Sequence, residues 1–301
     1  MVSPRLPSIR ARCLGAAAGI LADAVLGEPP PAVHPVVAFG RVMRAAERGR
    51  YRNTRVAGAL HAATGATLGL AAGAPLPTSV ATALAVGGRA LSRAALDVAT
   101  ALGDDDLDQA RSLLPTLVGR DPDGLDVKEV ARAVVESVAE NTVDAVVAPA
   151  LWAALAGGQG AFGYRAVNTL DAMVGHRSPR YERFGWASAR ADDAANVVPA
   201  RVTAILVMAM RPRQARAIVH TVRHHAPAHP SPNAGLAEAA FAAALGLRLG
   251  GTNRYRGRAE LRPTLGDGRP PEREDIVRAV RLSHHVTWAL VALLAGVAVW
   301  P

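Results

Sequence analysis

Three polar segments interrupt an otherwise apolar sequence, and each carries side chains at the spacing of one helix face. In the first, residues 135–144, Glu136, Glu140 and Asp144 are four apart and share a face if the segment is helical. Like charges at that spacing repel, so a fold that keeps them solvates them or gives them a cation. A carboxylate row against an apolar run suits Mg²⁺, which takes one or two carboxylates plus substrate phosphates. A solvated helix face is the plain alternative. In the second segment, residues 164–175, Arg165, Asn168 and Asp171 recur every three positions. Snorkelling at a membrane boundary accounts for Arg165 but not for Asn168 and Asp171. In the third, residues 184–196, Ser188, Asp192 and Asn196 recur every four, with Arg190 and Asp193 between them and Arg201 beyond. Ionisable groups at the mouth of an apolar segment are functional candidates by default.

The elements that must hold these side chains read as membrane helices. Of 301 residues, 50% are hydrophobic and only 4% aromatic. Ala, Val, Leu and Gly supply the apolar mass, as in helices whose backbones approach closely. Val56 to Gly88 contains no acid, Lys or Arg, and Pro75 and Pro77 divide it. Spans are therefore predicted at 56–74 and 78–96. Ala145–Tyr164 and Leu282–Pro301 are charge-free and long enough to cross, and Val197–Met210 is a weaker candidate. The expected fold is all-α: one polytopic membrane-embedded domain over residues 1–301, with about 4–6 transmembrane helices and two polar helical excursions, 97–144 and 211–281. Buried helices of a soluble α protein account less well for charge-free runs of that length.

Charge agrees with this reading. The formal net charge is +9, and Lys128 is the only lysine. The arginines cluster beside apolar runs, and basic residues are not interleaved with aromatics, which argues against nucleic acid. Arg5, Arg10 and Arg12 precede an apolar run that resembles a signal peptide. Cleavage there would leave the Arg-rich tract 41–55 outside, against the positive-inside rule, so the segment is expected to stay. By the same rule 41–55 and 211–281 are expected to face the cytoplasm, with Pro301 outside. Residues 97–144 are the exception, with twelve acids and four bases. Cys13, the single cysteine, excludes an intrachain disulfide and a cysteine zinc site. His220, His224, His225 and His229 suggest a metal, but Pro227 and Pro230 break any helix that would align them, and a basic loop is preferred. Walker A, dinucleotide-fold, His-Glu-x-x-His and Gly-x-Ser-x-Gly signatures are absent.

The three segments also carry a resemblance. Glu-Asn-Thr-Val-Asp-x-Val-x-Ala-Pro from Glu140, Tyr-Arg-Ala-x-Asn-Thr-Leu-Asp-x-Met-Val-Gly from Tyr164, and Ala-Ser-Ala-Arg-x-Asp-Asp-x-Ala-Asn-x-x-Pro-Ala-Arg from Ala187 resemble the signature segments of the CobD/CbiB proteins. Further matches are Asp23 through His34-Pro35, Val118 to Asp121 with Arg120, Ser231 to Gly235 with Asn233 and Glu238, and Gly250-Gly251 with Tyr255 and Gly257. The similarity spans residues 20 to 282. It departs at Glu28, where the family usually has Asp, and at Ala145, where Gly is usual.

The resemblance implies a multi-pass enzyme of cobalamin biosynthesis in the inner cell membrane. Its reaction joins the propionate of adenosylcobyric acid, in amide linkage, to (R)-1-aminopropan-2-ol or its O-phosphate. Activating a carboxylate for that step points to ATP, through an acyl phosphate, with Mg²⁺. The corrinoid and the aminopropanol (phosphate) are the expected small-molecule partners, beside membrane lipid and other enzymes of the pathway. Glu140, Asp144, Asp171, Asp192 and Asp193 are the expected catalytic acids, with Glu140, Asp144 and Asp192 on the metal. Arg165, Arg190 and Arg201 suit phosphate, and Asn141, Asn168, Asn196 and Asn233 suit corrinoid amides. Asp23, His34, Arg120, Ser188 and Glu238 complete the expected binding set. A transporter, a sensor of the AmpE-like branch or a corrinoid scaffold is the rival reading, and the scarcity of ionisable residues within the predicted spans speaks against a translocation path.

Overall fold

The computed structural model describes residues 7–176, 178–255 and 258–300. Arg5, Gly257 and Pro301 lie outside them. The described helices are α1 (Ile9–Leu26), α2 (Pro35–Arg50), α3 (Arg55–Gly73), α4 (Thr78–Ala85), α5 (Gly88–Gly103), α6 (Leu107–Leu113), α7 (Val127–Thr142), α8 (Ala148–Leu170), α9 (Trp186–Met210), α10 (Ala215–His224), α11 (Ala234–Leu245) and α12 (Arg273–Val299). Two strands, β1 (Leu249–Tyr255) and β2 (Arg258–Leu265), pair as an antiparallel hairpin in the second excursion, which the helical reading had not anticipated. The fold is all-α apart from that hairpin. The helical stretch Val127–Gly175 and helices α3, α9 and α12 are long and apolar enough to cross a membrane.

The chain divides into two compact units, each assembled from separated segments. The first comprises residues 1–88, 144–196 and 290–301. Here α3 packs along α8, and α1 packs on α4 and α8. Small residues make that approach possible. A side chain at Gly73 would strike the Gly158 carbonyl, and one at Gly69 would strike Ala166 and the Phe162 carbonyl. A clamp anchors the segment that leads into α9. Tyr51 Oη donates to the Arg180 carbonyl at 2.7 Å, Asn53 Nδ2 to the Pro179 carbonyl at 3.0 Å, and Arg180 and Tyr181 both donate to buried Glu47 at 2.9 Å.

One predicted span is corrected. Residues 78–96 do not form a continuous helix: α4 has eight residues, Val86 is extended (ψ 145°), and the helix restarts at Gly88. At 1.5 Å per residue α4 reaches only about 12 Å, against roughly 30 Å of hydrocarbon. The break is held in place because the Gly87 N–H donates to the Ala145 carbonyl at 2.9 Å. A second interruption falls inside α8, where Ala156 and Gly157 leave helical geometry and Gly157 takes φ 65°. The weaker candidate at 197–210 is the C-terminal part of the 25-residue α9.

The second unit comprises residues 89–143 and 197–289. Its centre is α7, buried without interruption from Val130 to Ala139, with Arg132, Glu136 and Ser137 inside the buried run. Asp126 and Glu129 close its N-terminus as a reciprocal capping box. Helix α11 packs on α7 and α10.

Candidate active site

Within the first unit three elements bring polar side chains together. After α7 the chain makes a π-helical turn, Val143–Val147, before α8 begins. Asp144 lies in this widened turn, where the backbone leaves α-helical hydrogen bonding. Asp144 meets α8 and α9. Asn168 Nδ2 lies 3.2 Å from Asp144 Oδ2 and 3.2 Å from Asp192 Oδ1, bridging the two carboxylates. Asn196 Nδ2 donates to Asp192 Oδ2 at 3.1 Å, and its carbonyl accepts from Tyr164 Oη at 2.9 Å. Tyr164 Oη also lies 3.4 Å from Asp144 Oδ1.

Helix spacing explains the pattern: Tyr164 and Asn168 are one turn apart on α8, as are Ser188, Asp192 and Asn196 on α9. Ser188 is buried, and its Oγ makes no hydrogen bond among the described residues. A buried hydroxyl without a partner is costly, and this one stands a turn from Asp192.

Asp171 and Asp193 are half-buried. Arg190 and Arg201 are exposed, and Arg201 turns back to donate to its own helix at Val197 O, 2.7 Å. Asp23 is buried on α1. His34 caps α2, its Nδ1 accepting from Val36 N–H, while Nε2 lies 3.2 Å from Glu28. Glu28 therefore has a defined partner despite its longer arm. Arg165 lines a groove described below.

The second unit holds a different cluster. Glu136 is buried between Arg120 (2.5 Å) and Arg132 (3.3 Å) and accepts the Gly250 N–H at 2.8 Å. Asn253 Oδ1 accepts from Arg120 Nη1 at 2.8 Å and from Arg132 Nη1 at 3.0 Å, and Arg132 Nη2 donates to the Thr252 carbonyl at 3.0 Å. Arg120, expected to bind substrate, thus ties the hairpin to α7. Glu140 is exposed, and Asn141 donates within its own helix to Ser137. Asn233 is buried at the start of α11. Glu238 is buried with His229 Nε2 3.9 Å away.

Burial first, then the charges of Glu136 and Glu140, pushes the Glu238 carboxyl well above its ordinary range. Burial likewise lowers His229. Both shifts favour neutral forms, so the pair is a neutral contact rather than a salt bridge. In the rest of the histidine cluster, His220 and His224 stack at 4.5 Å, and His225 Nδ1 accepts from Gly266 N–H at 3.0 Å. Among the described residues no group of three or more His, Cys, Asp or Glu converges as a metal site.

Sequence reasoning passed over Tyr164, Arg132 and Asn253 as site or cluster members. Tyr164 was legible, one turn before Asn168. Asn253, 133 residues from Arg120, had no local signal.

The chain matches the family described as CobD/Cbib protein over residues 16–283. It is 48% identical to the cobalamin biosynthesis protein CobD of Mycobacterium tuberculosis H37Rv, over 96% of each chain. It is 43% identical to the protein of that name from Chromobacterium violaceum (93% and 95% covered) and 42% identical to that from Geobacter metallireducens (92% and 93%). No solved structure gives a significant match. An identity sustained at this level along nearly the whole chain places the protein in the CobD/CbiB family and its role in cobalamin biosynthesis.

Proposed function

We propose that this protein is a multi-pass enzyme of the inner cell membrane that joins the propionate of adenosylcobyric acid to (R)-1-aminopropan-2-ol or its O-phosphate, with ATP and Mg²⁺. Family membership and the relatives' names support the pathway. The observation that carries the chemistry is the single amide of Asn168 joining the carboxylates of Asp144 and Asp192.

The donor set fits Mg²⁺, which needs only one or two carboxylates when phosphate oxygens and water complete its shell. Asp144 and Asp192 would hold it, and it would supply charge neutralisation at a phosphate. Asn168, Asn196 and Tyr164 fix the carboxylate orientations. The Ser188 hydroxyl is left to donate to a ligand oxygen. In the reaction the propionate oxygen leaves with the phosphoryl group of ATP, the amine nitrogen forms the new C–N bond, and ADP and phosphate are released.

A transporter or corrinoid scaffold is the second reading. It is favoured by one observation: Asp144, Asn168 and Asp192 lie on stretches apolar enough to cross a membrane, where buried polar groups often mark a path. One experiment separates the two. Purified membranes are incubated with cobyric acid, ATP, Mg²⁺ and either amine, and product mass is followed. The proposal expects cobinamide or its phosphate to appear only with ATP. Corrinoid bound or moved without a mass change would support the second reading.

A further inference from the structure

Among the described residues Arg165 is paired with no carboxylate. It is half-buried on α8, its Nε is sealed from solvent without a hydrogen bond, and its guanidinium forms no ion pair among the described residues. Burying an uncompensated cation is costly, and folds normally supply an opposite charge. Here the surroundings are apolar. Arg165 lines a groove of about 300 Å³ whose walls include Phe39 and Val42 of α2, Leu68 and Ala72 of α3, and Phe162 of α8. The groove lies wholly within the first unit and opens outward, since Val42 and Leu68 are 53% and 41% exposed. Thr169 also borders it, and its hydroxyl donates to the Arg165 carbonyl, leaving the oxygen able to accept.

One ligand class satisfies both features: an apolar chain to fill the groove and an anionic head for the arginine. The structure assigns this groove, we propose, to an anionic phospholipid, with an acyl chain between α2, α3 and α8 and the phosphodiester on Arg165. Charge complementarity selects the headgroup, because a lone cation in an apolar wall favours a ligand with net negative charge. Neither Asp144 nor Asp192 lines the groove.

The test uses the full chain, purified in neutral detergent and stripped of lipid. Phosphatidylglycerol or phosphatidylcholine is titrated in mixed micelles. Bound lipid is counted by native mass spectrometry, and melting temperature is followed. Wild type should retain phosphatidylglycerol and melt higher with it, because a ligand of the native state alone stabilises that state. Arg165→Gln should weaken retention about 10- to 100-fold, the worth of a charge-assisted contact. Arg165→Lys should retain part of it. Ala72→Phe, at an exposed position on the groove wall, should abolish retention while leaving the arginine and the fold in place. Equal retention of phosphatidylcholine, equal stabilisation by inorganic phosphate, or unchanged binding in Ala72→Phe would each overturn the proposal.

Discussion

Asp144 and Asp192 are joined through one side chain, the Asn168 amide, which stands 3.2 Å from an oxygen of each. They come from a π-helical turn and from α9, 48 residues apart in sequence, and the amide between them keeps two like charges in one fixed geometry. Asp192→Asn keeps shape and hydrogen bonding but removes the charge that a hard cation prefers. It should nearly abolish amide formation while membrane insertion is unchanged. Activity per folded molecule is the measurement; full specific activity with reduced yield would show the pair to be structural.

Asn168 does not need to touch substrate for its loss to be felt. Asn168→Ala should lower activity about 10- to 100-fold by releasing the carboxylates it orients. Because it acts as a positioning residue, its Mg²⁺ requirement should rise along with the loss of rate. A magnesium titration of the variant checks this, and a rate defect with an unaltered magnesium curve would remove Asn168 from that role.

Glu136 is held by two arginines and a backbone N–H in the second unit. Glu136→Ala leaves Arg120 and Arg132 buried without their carboxylate, with only the neutral oxygens of Asn253 and Thr252 as acceptors, and should cost about 3–5 kcal/mol. Thermal unfolding in detergent measures it. A loss of activity at unchanged stability would instead put Glu136 in the chemistry.

Glu238 and His229 give stability a pH signature. The folded-state value of Glu238 is raised, so its contribution is fully present below the ordinary 4.5 and is lost as pH rises towards the folded value. His229 is lowered, so its contribution is present above the ordinary 6.5 and is lost as pH falls through the folded value. Glu238→Gln should therefore gain stability over wild type progressively as pH rises from 5 towards 8. Melting temperatures across that range decide the matter, and parallel wild-type and variant curves would contradict the assignment.

Gly157 interrupts α8 at φ 65° and ψ −147°, a region that side chains rarely adopt. Gly157→Ala should cost about 1–3 kcal/mol. Gly73→Val, directed at the Gly158 carbonyl, should be worse because backbone rather than a flexible side chain must move. Folded yield from membranes orders the two.

The all-α membrane character was legible in the sequence because it rests on local quantities: runs without charge, small residues at helix contacts and arginine beside apolar segments. The recurrences of Asn168 on α8, and of Ser188, Asp192 and Asn196 on α9, were legible for the same reason, since helix periodicity alone puts such residues on one face. Tertiary structure decided which faces meet. Within its own unit Asp144 meets Asn168, and within the other Glu136 lies between two arginines, partners that the spacing of 136, 140 and 144 does not name. The apolar stretch after Pro77 looked like a span, but Gly87 donates to Ala145, and that long-range bond ends the helix after eight residues. Arg120, expected from the sequence to bind substrate, also meets Asn253 from a distant strand, a contact that local spacing does not announce. Periodicity fixes a side chain's direction from its own helix axis, whereas a partner more than a hundred residues away is chosen by packing, which leaves no mark on local spacing.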